Sequence, residues 1–120
     1  MALHDTVVRR IKTWHEQQGD DVTAELRGYQ KPPKFIGPRG RAYIPDVFVF
    51  NEGLAYEVKE YWAHRNAGPK LKAIGSDPRV RRLILVLCSG TSDGVSRVQN
   101  FVERENVPCE VVSYRDLPYW

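Results

Sequence analysis

Apolar residues recur every three to four positions from Leu3 to about Gln18, where Leu3, Val7, Ile11 and Trp14 make one stripe. That spacing predicts an amphipathic helix, which Gly19 ends. The period then drops to two. Val22, Ala24 and Leu26 alternate with Thr23, Glu25 and Arg27, predicting a first strand over 21–27. Ile44, Phe48 and Phe50, then Leu54, Tyr56 and Val58, flank an Asn-Glu-Gly break at 51–53 and predict a β-hairpin. A helix is expected over 63–74, with Gly68-Pro69 breaking or starting it. Leu83 to Cys88 reads as a short buried strand, and Thr91 to Asp93 as capping residues for a helix carrying Val95, Val98, Phe101 and Val102. Glu110 to Tyr114 closes as a strand. A strand, helix, strand unit of this length implies a parallel pair joined by a right-handed crossover. The expected fold is α/β, a mixed β-sheet flanked by helices in the order α-β-β-β-α-β-α-β, forming one domain over 1–120.

Cys88 and Cys109 sit in apolar, strand-like runs, which predicts reduced, buried thiols and a cytoplasmic setting rather than a disulfide framework. No apolar run approaches a signal core or a membrane span, so no membrane role is expected. The net charge of +3 is modest, but its distribution is uneven. Between Leu26 and Pro45 stand five basic residues, Arg27, Lys31, Lys34, Arg39 and Arg41, and no acid. Proline and glycine punctuate this segment, which reads as a long loop or a loose strand pair. It can act as a clamp on a phosphate backbone, with Tyr29 and Phe35 stacking on a splayed base, or simply as a solvated surface loop. Arg79, Arg81 and Arg82 form a second basic group before the next strand.

The chemistry concentrates between Ile44 and Trp62. Glu57 and Lys59 are two apart on one strand and leave the same face. A two-residue loop at Glu52-Gly53 sets Phe48 opposite Glu57 and Asp46 opposite Lys59, placing all three charges on that face. On a half-exposed strand such residues are ordinarily a solvated ion pair. Here Val47, Phe48, Val49, Tyr56 and Val58 make both faces apolar, and a buried charge needs a partner or a metal. Two hard carboxylate oxygens on adjacent strands suit Mg²⁺.

Pro45-Asp46 followed, after ten intervening residues, by Glu57-Val58-Lys59 resembles the motif of the PD-(D/E)xK nuclease superfamily. The resemblance implies a restriction-endonuclease-like fold and a Mg²⁺-dependent endonuclease hydrolysing DNA, with Mn²⁺ able to substitute. Asp46 and Glu57 would be metal ligands with the Val58 carbonyl, and Lys59 the activating or charge-stabilising cation. Members often add an acid from the first helix, where Asp5 and Glu16 are the candidates; Glu25, on the first strand, is the rival that completes the metal site or pairs with Arg27 or Arg41, and the glutamate common at the helix position is missing. Basic residues on the second helix, here Lys70 and Lys72, would join Lys31, Lys34, Arg39 and Arg41 in contacting DNA. Size and basic lead-in are similar to those of Holliday-junction resolvases and virus-type replication-repair nucleases, and restriction-type cutting is equally compatible. Cutting two strands needs two sites and hence implies a homodimer, for which Tyr119 and Trp120 are interface candidates, packing on their own core being the equal alternative.

His4, His15 and His64 have no zinc-binding spacing, and His64 either reaches a substrate phosphate or is a polar residue at a strand end. Two rival readings remain open. One is a non-catalytic nucleic-acid-binding module on the same fold, whose binding is salt-sensitive but metal-independent. The other is an α/β interaction or scaffold protein.

Overall fold

A computed structural model describes residues 3–59, 67–88 and 92–118. Its elements are α1 (Leu3–Gln17), β1 (Val22–Ala24), β2 (Phe35–Ile36), β3 (Ala42–Tyr43), β4 (Val47–Val49), β5 (Leu54–Lys59), α2 (Gly68–Gly75), β6 (Arg82–Leu87), α3 (Ser92–Arg104) and β7 (Glu110–Ser113), followed by a 3₁₀ turn at Tyr114–Asp116. Five strands form a mixed sheet in the order β1-β4-β5-β6-β7. The pairs β1–β4 and β4–β5 are antiparallel, whereas β5–β6 and β6–β7 are parallel, each joined across a helix as the strand, helix, strand pattern requires.

Alternation along β5 sorts the two faces. Leu54, Tyr56 and Val58 pack with Val7, Val8 and Ile11 of α1, while Ala55 lies with Leu71 and Ile74 of α2 and Val98 and Val102 of α3. The sheet is thus covered on both sides, which explains its nearly continuous apolar runs. The buried stripe of α1 is Val7, Val8, Ile11, Lys12 and His15, rotated from the expected one: Leu3 is exposed and Trp14 half-buried. His15 holds that rotation, its ring nitrogens meeting Tyr56 Oη at 2.9 Å and Asp20 Oδ2 at 2.8 Å.

Two expectations need correcting. The basic segment contains its own hairpin, β2–β3, so the element order has two more strands than expected; Phe35, read as free to stack, is fully buried within it. The β4–β5 register is also shorter by two residues. Val49 pairs with Leu54 and Val47 with Tyr56, around a four-residue turn at 50–53. Gly53 closes that turn at φ +62°, and its carbonyl accepts from Arg81 and Arg82, so the turn is tied to the start of β6. Because the shift is even, no side chain changes face.

The contact between the end of α2 and the approach to β7 is tight. A Cβ on Gly75 would stand 2.7 Å from the Pro108 carbonyl oxygen and 2.8 Å from its Cγ. Gly75→Ala must force backbone apart and is expected to cost about 1–3 kcal/mol, read as a lower denaturation midpoint; an unchanged midpoint would mean that this contact is not closed in solution.

Among the described residues no helix is long and apolar enough to cross a membrane. Both cysteines are free. The β6–β7 register sets Cys109 level with Leu83 and Cys88 one step past Leu87, roughly 17 Å apart at about 3.3 Å per residue, so they cannot bridge.

Candidate functional site

The site forms where the chain enters β4 beside the C-terminal half of β5. Pro45 has no N–H to donate, and regular pairing begins only at Val47. Asp46 N–H donates to the Tyr56 carbonyl (3.0 Å), and the Asp46 carbonyl accepts from Glu25 N–H (2.8 Å). The Asp46 carboxylate then takes a carbonyl's role in the ladder: Oδ2 accepts the Val58 N–H at 2.7 Å. The shortened register carries Asp46 to the level of Glu57, not of Lys59 as expected, so the two carboxyls face each other directly.

Glu57 is fully buried, projecting from β5 on the side of α2 and α3. Lys70, from the first turn of α2, brings Nζ to 2.8 Å from Glu57 Oε2, and Lys59 Nζ lies 3.5 Å from the same oxygen. His4, at the start of α1, places Nε2 3.4 Å from Asp46 Oδ2 and pairs through Nδ1 with Asp5 at 3.0 Å. The cluster is therefore Asp46 and Glu57 at the centre, with Lys59, Lys70 and His4 around them.

Burial, and then the charge of Asp46, push the Glu57 carboxyl up to about 8, with Lys70 opposing. Burial would raise Asp46 as well, but hydrogen bonds from His4, from the protonated Glu57 and from the Val58 N–H hold it below the ordinary carboxylate value. The bond to Asp46 lifts His4 to about 9 against the opposing effect of its partial burial. Burial and the mutual charge of the two acids thus favour a pair that, without a cation, holds one proton near neutral pH, with Glu57 the acid pushed up and Asp46 the one held low. With both acids ionised, neither Glu57 oxygen has a well-directed hydrogen bond among the described residues, Lys70 approaching as an ion pair only.

These features fit a small divalent cation. Two hard oxygen donors are converged, more negative charge is buried than hydrogen bonds satisfy, and a proton occupies the place where a cation would bring more charge. The Val58 N–H points to the β4 edge, and in an extended strand the carbonyl of the same residue shares that edge, which makes it an available third donor. A different group of ligand type, His15, Asp20 and Glu52, has donor atoms within 4.8 Å of one another at the far end of α1. Both His15 nitrogens are already engaged there by Asp20 and Tyr56, so the group serves as a structural clamp.

The remaining residues singled out by sequence lie in several separate places. Among the described residues, Asp5 is joined to Asp46 through the His4 ring, whereas Glu25 pairs with Asp46 by backbone, its Oε1 on Lys31 Nζ at 3.2 Å and its Oε2 buried with no hydrogen-bond partner there. Lys31 Nζ also donates to the Leu26 carbonyl, bracing its own loop, and exposed Tyr29 lies under Lys12 Nζ, 4.1 Å from its ring centroid. Arg79 and Arg82 are held by Asp77 and Glu110 at the start of β6, the opposite end of the sheet from Glu57, so that basic group does not share the site. Lys34 is exposed beside β2, while Arg39, Arg41 and Lys72 line one groove. Lys70 belongs with the carboxylates rather than with them. His64, Tyr119 and Trp120, residues 63–66 of the expected second helix and Thr91 of the third lie outside the described residues.

The residue that sequence reading missed is His4. Its signal was present, since His4, Val8, Ile11 and His15 share one helical face, but that stripe competes with the apolar one through Leu3 and Trp14. No family model, curated protein or solved structure matches the chain, so fold and site geometry are the grounds for a functional reading.

Proposed function

We propose that this protein is a metal-dependent endonuclease that hydrolyses DNA phosphodiester bonds, of the PD-(D/E)xK type and restriction-endonuclease-like in fold. The observation that carries the reading is the fully buried Glu57 carboxyl facing Asp46, with the Lys59 ammonium 3.5 Å away and one-third exposed. A buried acid pair beside a partly exposed lysine is costly as architecture and apt as a working centre.

Asp46 and Glu57, with the Val58 carbonyl, would hold Mg²⁺ or Mn²⁺, which there supplies charge to a phosphate oxygen and acidifies a water. Glu57 must give up its proton to do so. Lys59 reaches towards solvent from the same face and is placed to orient the attacking water or to offset charge developing on the scissile phosphate. Lys70 keeps the Glu57 carboxylate oriented and offers a second positive charge to the strand. His4, protonated near neutral pH, fixes Asp46 in the rotamer that also accepts the Val58 N–H. Asp5 or Glu25 completes the acidic set. A homodimer would supply the two centres needed for duplex or junction cutting. The free thiols accord with a cytoplasmic setting.

Cleavage of labelled single strand, duplex, flap, four-way junction and plasmid in Mg²⁺, Mn²⁺ and chelator tests the proposal. Cutting that requires the metal is expected, and the substrate cut fastest separates junction-selective from restriction-type action. Salt-sensitive binding to every substrate with no cutting in either metal would replace the nuclease with the non-catalytic binding module.

A further inference from the structure

Lys70 is held by charge alone. Elsewhere cations are fixed by directed, two-pronged hydrogen bonds: Arg79 Nε and Nη2 donate to Asp77, and Arg82 Nε and Nη2 to Glu110. Lys70 Nζ lies 2.8 Å from Glu57 Oε2, yet neither Glu57 oxygen finds a well-directed donor among the described residues. Glu57 is the one partner that Lys70 has among those residues, and the lysine side chain is 22 % exposed, which gives it a path to solvent. An ammonium on a flexible four-carbon stem, bound without a directed bond, is free to change partners.

The same turn of α2 has a second neighbour. Gly68, Pro69 and Lys72 line a groove of about 670 Å³ against the β2–β3 hairpin, from which Arg39 and Arg41 join its lining. Arg39, Arg41 and Lys72 have no ion-pair partner among the described residues, and Glu105 is the one acid among those that line the groove. Lys70 stands between Pro69 and Lys72, so the turn that lines the groove also sends an ammonium to the carboxyl pair. A polyanion drawn to Arg39, Arg41 and Lys72 passes the turn that carries Lys70.

An ammonium 2.8 Å from Glu57 Oε2 cannot sit on a phosphate at the same moment, so the services of Lys70 to the carboxylate and to the strand exclude each other. Which one prevails turns on the charge at Glu57. A divalent cation held there competes for the same anionic oxygen and repels the ammonium beside it. We propose that Lys70 is an exchangeable counter-ion: it neutralises Glu57 in the metal-free protein and is displaced onto a phosphate of the bound strand once a divalent cation is held at the carboxyl pair. Metal and nucleic acid then strengthen each other's binding through this one side chain. The cation and the strand rest on the nuclease reading; the choice of Lys70 rests on its geometry.

Calorimetric titration with Mg²⁺, without nucleic acid, reads the first half of the exchange. Lys70→Met keeps the stem and removes the charge, so it is expected to bind Mg²⁺ about tenfold more tightly than the wild type, while Lys70→Arg stays within about twofold. A proton leaving Glu57 does not reverse that sign, because loss of a positive neighbour favours a divalent cation about twice as strongly as a proton. Fluorescence anisotropy of a labelled DNA strand, in chelator and in Ca²⁺ and shown intact afterwards, reads the second half. Lys70→Met should bind the strand as the wild type does in chelator and more weakly in Ca²⁺, where the slope of its salt dependence falls by about 1. Both variants are compared at an unchanged circular-dichroism spectrum. Mg²⁺ affinity unchanged or lowered by Lys70→Met would make the lysine a fixed orienting residue and overturn the proposal. So would an equal loss of strand binding in chelator and in Ca²⁺, or no loss in either. Tightened Mg²⁺ binding with the Ca²⁺-dependent loss of strand affinity upholds the exchange even where no cutting is seen, whereas absence of Mg²⁺ binding in wild type and variant alike would remove the metal centre and the nuclease reading with it.

Discussion

Replacing Glu57 with glutamine is expected to lower cleavage by about 10³-fold or more while leaving the fold intact and the metal-free protein more stable at pH 8. The two effects share one cause. Glu57 is fully buried and its carboxyl is pushed up to about 8, so at that pH folding holds an acid where burial and the Asp46 charge resist ionisation. Glutamine keeps the shape, carries no charge, and can donate to Asp46 as the protonated acid does. The stability gain is on the order of a few kcal/mol at pH 8 and vanishes in mild acid, where the wild-type residue is already neutral. Cutting fails because the amide cannot give a divalent cation the anionic oxygen it needs. Single-turnover cleavage and chemical denaturation of the same preparation read both. Loss of stability together with loss of cutting would make Glu57 a structural residue.

The second large effect is on stability against pH, and it depends on the metal. A carboxyl whose folded value lies above its unfolded one binds its proton more tightly when folded, so Glu57 costs stability progressively as pH rises from its ordinary 4.5 through about 8. His4 acts in the same direction. Raised from 6.5 to about 9, it contributes stability that is whole below the lower value and lost as pH passes the upper one. Asp46, held low, contributes above its ordinary 3.8 and loses that contribution in stronger acid. In chelator the denaturation midpoint should therefore peak at about pH 5 and fall towards pH 9. Mg²⁺ should raise the midpoint strongly at pH 8 and little at pH 5, since binding at the lower pH must displace the Glu57 proton. Glu57→Gln should flatten the decline and remove the Mg²⁺ effect. An identical Mg²⁺ response at both pH values would mean that the cation binds away from the carboxyl pair.

The sheet and its helices were legible because their signals are local. Period-two runs at 22–26 and 54–58 and period-3.6 runs at 3–14 and 95–102 name their own elements, and the alternation in β5 alone places Glu57 and Lys59 on one face and Tyr56 and Val58 on the other. The hairpin register was harder, since Asn-Glu-Gly accommodates a two-residue or a four-residue turn. The choice was made from outside, by the tie of the Gly53 carbonyl to Arg81 and Arg82 and of Asn51 to Asp20 and Asp21. The even shift kept the acids on the right face and brought Asp46 to Glu57. The β2–β3 hairpin was hidden because each strand is only two residues long and its turn is built of Gly, Pro and Arg, a composition shared with open loops. The roles of Lys70 and His4 were beyond a linear reading. One arrives from α2 and the other from α1, on opposite faces of the sheet, and they meet at the carboxyl pair because regular β4 pairing begins only after Asp46.

Conversion of supercoiled plasmid in Mg²⁺ by the wild type, run beside Lys59→Ala and Asp46→Asn purified identically, tests the central claim most directly. Asp46→Asn retains an acceptor for the Val58 N–H, so the variant should stay folded. Nicked or linear product from the wild type, absent in chelator and reduced by about 10³-fold in both variants, is the expected result. Intact plasmid with the wild type, or equal conversion by all three proteins, would contradict a phosphodiesterase centre at Asp46, Glu57 and Lys59.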